Sequence, residues 1–244
     1  MSGPEKPSFR RVVQRQASGD ETRSPWSDLR PAELWATIRS YVGLGREASP
    51  EPVDTPAALA RFLDTRASFV AQTSLYGYLR TRAGMRYPEL FQDDPFVEAI
   101  NVAKWHVWLD CLSDIAVHAG GRLAHQAPRE VPRIARAIVA AVDGILAQAG
   151  TPAEAGNEFR AHAERVRQRV ARTDWLAVGE DEAAFTESPG GLVRWAPVMD
   201  ELKQLDEEIV RNSVRFRWQE VRRDFLLRLD TQALIGSMPG DPSS

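Results

Sequence analysis

The chain has 244 residues, 43% of them hydrophobic and 27% charged. That is the balance of an ordinary globular protein, with length enough for one large helical domain or two small ones. A formal net charge of −3 gives no global field toward nucleic acid or an anionic membrane, and the single cysteine, Cys111, leaves no intrachain disulfide and no Cys-based zinc site.

Residues 1–27 are polar, rich in Ser, Pro, Arg and Gln, and read as a disordered basic tail. They lack the continuous apolar core of a secretory signal, and no later stretch nears the roughly 18 apolar residues of a membrane span. The expected location is cytoplasmic. From Asp28 a first helix should run through Leu34, Ile38 and Tyr41 and stop near Gly43 or Gly45. Thr55-Pro56 is an N-cap followed by proline at the first helical position, and Gly84 is the matching stop. Asp94-Pro95 opens a third helix by the same device, with Gly120-Gly121 as its expected end.

A fourth helix is expected over about 132–149, closed by Gly150, and a fifth from Thr151-Pro152 with a sparse stripe (Phe159, Val166, Val170) that suits a surface helix. Residues 173–196 read as irregular, with a short turn of helix at Ser188-Pro189. The last and longest helix spans about 197–230, and 231–244 reads as a flexible tail. No run of Val, Ile and Thr alternates with period two. The expectation is therefore all-α: a single bundle-like domain over 28–230, about six helices, two of them long.

The third helix carries polar groups where a core helix should have none. Phe96, Val97, Ile100, Val107, Trp108, Leu109, Leu112 and Ile115 cover most of its circumference, yet His106, Asp110, Asp114 and His118 recur every four residues. Buried carboxylates need partners. Arg66 falls in the middle of the apolar face of the second helix, and the short connection 85–93 makes the two helices antiparallel neighbours. The economical expectation is a structural seam in which Arg66 answers Asp110 or Asp114. A competing reading makes His106, Asp110, Asp114 and His118 metal ligands, but residues a turn apart cannot all reach one ion, and the Glu-x-x-His pair of di-iron bundles is missing. Cys111 and His118 lie two turns apart, about 10 Å, too far for a nucleophile and its base. No nucleophile elbow, Walker loop or dinucleotide fingerprint is present, so no catalytic residue and no cofactor is assigned.

The last helix is acidic first (Asp200, Glu201, Asp206, Glu207, Glu208) and basic later (Arg211, Arg215, Arg217, Arg222, Arg223, Arg228), which complements a helix dipole. Leu202, Leu205, Ile209, Phe216 and Leu226 give it an apolar seam of roughly heptad spacing. Its arginines alternate with Phe216 and Trp218, as on a nucleic-acid surface. But Glu220 and Asp224 interrupt them, and the bias to Arg is chain-wide, Lys6, Lys104 and Lys203 being the only lysines.

The stretches SLYGYLRTRAGMRYPELF, INVAKWHVWLDCLSDIAVHAGG and LVRWAPVMDELKQLDEEIVRNSVRFRWQEVRRD resemble a family of all-helical bacterial proteins of uncharacterised function, some of which carry the label esterase. The resemblance implies an all-α fold and brings no catalytic residues with it. The leading expectation is a non-enzymatic accessory, assembly or regulatory protein. It would act through protein–protein contacts or as a homo-oligomer, using the C-terminal helix. An esterase-like hydrolase and a metal-binding helical protein are the alternatives.

Overall fold

The computed structural model describes residues 51–179 and 182–240, and these residues form an all-α fold. The expected 1–27 tail and the helix from Asp28 lie outside them. Helix α1 (Pro56–Ala83) starts where Thr55 Oγ1 accepts the Ala58 N–H at 3.2 Å and ends on Gly84 at φ +54°, a conformation that costs glycine little. After a short helix α2 (Tyr87–Leu90), helix α3 (Asp94–Gln126) runs 33 residues, about 50 Å. α1 and α3 share the most extensive contact in the fold, the hairpin that the short connection implied.

α3 is the axis of the bundle. Nearly every residue from Ile100 to Ala124 is buried, because α1, α4 (Val131–Ala149), α5 (Phe159–Arg172) and α6 (Ser188–Trp195) all pack against it. The helix does not stop at Gly120-Gly121 as expected. It continues to Gln126, and the two glycines serve packing instead: a Cβ on Gly120 would lie 2.2 Å from the Trp175 ring, and one on Gly121 2.6 Å from Val178. Glycine inside a helix costs about 1 kcal/mol relative to alanine, and here the close approach of the 173–179 segment offsets it.

The fifth expected helix starts later than Thr151-Pro152. A single 3₁₀ turn at Ala153–Ala155 and Gly156 at φ +77° intervene, and α5 begins at Phe159. Helix α7 (Asp200–Arg228) is followed by α8 (Thr231–Ser237), in the segment read from the sequence as a flexible tail. Asp230 caps α8 by accepting from Ala233 N–H at 3.0 Å, and Leu234 and Met238 are buried. The Arg133 guanidinium donates to the Ile235 and Met238 carbonyls at 2.8 and 2.9 Å, satisfying the last turn. Val53 exchanges backbone hydrogen bonds with Arg228 and Asp230, tying the strand-like entry to α1 against the exit of α7. No helix among the described residues is long and apolar enough to cross a membrane.

Candidate functional site

The two buried carboxylates on α3 find partners, though not in Arg66. Asp114 is fully buried and accepts five hydrogen bonds: Arg169 Nη1 at 2.7 Å, the backbone N–H groups of Thr186, Glu187 and Ser188 at 3.2, 3.1 and 2.8 Å, and Ser188 Oγ–H at 2.6 Å. The three backbone donors run from just before α6 through its N-cap Glu187 to its first residue Ser188, so a carboxylate from a neighbouring helix does the work of an N-cap there. Burial pushes the Asp114 pKa up, while Arg169 and the Ser188 donors pull against it. Ser188 Oγ in turn accepts from Trp218 Nε1 at 2.9 Å, and Trp218 stacks on Phe185 at 4.6 Å. One carboxylate thus joins α3, α5, α6 and α7.

One turn earlier lies a second chain of bonds. His106 Nε2 is 3.2 Å from the Ala155 carbonyl, His106 Nδ1 is 2.8 Å from His162 Nδ1, and His162 Nε2 is 2.8 Å from Asp110 Oδ1. A carbonyl only accepts, so His106 Nε2 carries a hydrogen. Burial, followed by the neighbouring His162, holds the His106 pKa down to about 4, so its Nδ1 is a lone pair. His162 must then donate from Nδ1. It follows that His162 Nε2 and Asp110 Oδ1 share a single proton, as an imidazolium–carboxylate pair or as two neutral groups. Burial raises the Asp110 pKa and the hydrogen bond from His162 opposes it. The chain is enclosed: His106, Asp110 and His162 are 0%, 3% and 4% exposed, and Trp195 lies flat on His106 with ring centres 3.6 Å apart. Asp110 Oδ2 has no hydrogen-bond partner among the described residues and abuts Gly191, where a Cβ would sit 1.9 Å away.

The four candidates on α3 do not converge. His118, three turns beyond His106, packs against Phe185 and Phe225 at 5.1 and 6.3 Å, and neither ring nitrogen has a partner among the described residues. Burial, followed by the positive charges of Arg222 and Arg122, pushes its pKa down to about 4. No group of three or more His, Cys, Asp or Glu among the described residues is placed to hold a metal ion. Cys111 is buried and its thiol is pushed well up by burial.

Arg66 is the correction to the expected seam. Its guanidinium reaches Asp224 of α7 at 2.7 Å, with side-chain exposures of 15% and 25%, and Asp224 also holds Arg228. The α1 stripe faces α7 as well as α3, and helical phase alone does not distinguish the two neighbours. The partners that sequence reasoning missed, His162, Arg169 and Ser188, stand on the elements read as a surface helix and an irregular connection. A signal existed: at 100° per residue His162 and Arg169 border the Phe159–Val166–Val170 stripe.

The C-terminal helix holds the other notable surface. α7 is packed through Val210, Val214, Trp218, Val221 and Phe225, all buried. Leu205, Ile209, Phe216 and Leu227 lie within about 40° of one another on the opposite side and are 76%, 73%, 72% and 78% exposed. Of the apolar seam read from the sequence, Leu205, Ile209 and Phe216 fall on this outer line rather than on the packed face, whereas Leu202 and Leu226 flank it and Leu227 was not among the seam residues. A recess between α1 and α7, lined by Arg66, Phe69, Arg223, Asp224 and Leu227 among others, adjoins it. Acidic residues of its first half brace the helix, since Asp206 accepts from Tyr78 at 3.0 Å and from Arg82 at 2.9 Å.

Compared with models of protein families, with curated proteins and with solved structures, the chain has no significant match.

Proposed function

We propose that this protein acts by binding another polypeptide through the outer face of α7, as an accessory, assembly or regulatory factor rather than as a catalyst. One observation carries the reading: a helix already packed on its inner side aligns four large apolar side chains, each more than 70% exposed, along its outer side. Single surface hydrophobes are ordinary, but four on one side of a helix, spaced by Asn212 and Arg223 on the same side, mark an interaction surface. The polar seam of α3 supports the same reading from inside. Asp114 uses both oxygens to hold four helices together, and the His106–His162–Asp110 chain lies under Trp195.

The test is site-specific photo-crosslinking in living cells. A benzophenone side chain in place of Phe216 should trap one defined polypeptide in high yield, and the same group in place of the exposed Glu98 on α3 should not. Equal or absent products at the two positions would remove the reading.

A further inference from the structure

We infer that the polypeptide seated on α7 is a second copy of this chain, bound antiparallel about a two-fold axis through Phe216. This rests on the reading of α7 as the interaction surface and names its occupant. An isologous dimer needs a patch complementary to itself under a two-fold rotation, and the outer line of α7 has that property. Leu205 and Leu227 lie eleven residues before and after Phe216, close to three turns each way. Rotation about Phe216 sets Phe216 against its own copy and each Leu205 against the other copy's Leu227, beside the recess that Leu227 and Phe69 line.

Charge selects the same orientation. Five of the seven acidic residues of α7 lie between Asp200 and Glu208, and its arginines follow from Arg211 with only Glu220 and Asp224 among them. Antiparallel pairing lays the acidic half of one helix on the basic half of the other, whereas parallel pairing sets like on like. The register also brings Glu208 next to Arg223 of the other copy. Both are exposed, and neither makes an ion pair with a described residue in its own chain. Ile209 then covers the aliphatic stem of the opposing Arg223.

Light scattering on the full chain over a dilution series reads the assembly directly. Wild type should show twice the 27.2 kDa monomer mass, and Phe216→Glu should be monomeric with an unchanged circular dichroism spectrum. Glu208→Arg should weaken the dimer at least tenfold, and adding Arg223→Glu should restore it. With Cys111 replaced by Ala, a short bis-maleimide should join Leu205→Cys to Leu227→Cys chains in a mixture, and should not join Leu205→Cys chains to one another. A monomer at all concentrations overturns the proposal, as do a double charge swap without rescue, Leu205–Leu205 links, and a crosslink from position 216 to residues 1–50 of the same chain. If the protein is monomeric yet position 216 traps a different polypeptide in cells, self-pairing fails while the function of the α7 face stands; if it traps nothing, both fail.

Discussion

At the scale of single residues, Asp114 is the most consequential polar group in the core. Replacing it with Ala leaves the Ser188 hydroxyl and three backbone N–H groups without their acceptor and removes the counter-charge of Arg169. Breaking such a buried network typically costs about 3–5 kcal/mol, and urea unfolding of Asp114→Ala should show that loss as a lower midpoint. Arg66 should behave differently from a core ion pair. Asp224 also holds Arg228, so Arg66→Met leaves no unmatched carboxylate and should cost about 1–3 kcal/mol, and Asp110→Asn should not rescue it. His118 gives a pH signature. Its folded pKa of about 4 lies below the ordinary 6.5, so the unfolded chain takes up a proton that the folded protein refuses. Stability is therefore full above pH 6.5 and declines as the pH falls toward 4, by up to about 3 kcal/mol from this group. His118→Leu should remove that part of the slope. Paired urea titrations at pH 7.5 and 4.5 would show it, and equal slopes in wild type and variant would refute it.

At the scale of elements, what the sequence disclosed divides by the range of the physics involved. Caps and stops are local chemistry, so Thr55-Pro56, Asp94-Pro95, Gly84 and Gly150 marked helix ends within a residue or so of where they fall. Gly120 and Gly121 look the same in sequence but answer to Trp175 and Val178, more than fifty residues on, and so read falsely as a stop. The seam on α3 was legible as a demand for partners. Which residues meet it depends on how α5 and α6 dock, and a helical wheel does not contain that. Glycines divide along the same line. Gly191→Ala would drive a methyl group into Asp110 Oδ2 and separate α6 from α3, so a loss of several kcal/mol is expected. Gly144→Ala, in mid-α4 with nothing within 4 Å of the new methyl, should stabilise by about 0.5–1 kcal/mol. Thermal melts of the pair would check both signs.

For the whole molecule, the inward and outward halves of the design meet in α7. Its inner face is fixed by Trp218 through Ser188 to Asp114, and its end by Val53 and the α8 cap, so the outer face is presented on a rigid support. A rigid, apolar, charge-rimmed face loses little conformational entropy on binding. The central claim is that this face is covered in the cell. Hydroxyl-radical labelling of Phe216, quantified by mass spectrometry in intact cells and in dilute purified protein, reads that coverage most directly. Labelling of Phe216 should fall several-fold in cells, while Leu176, half exposed on the segment that packs against Gly120 and Gly121 of α3, should label alike in both. Equal labelling of Phe216 in the two settings would contradict the account.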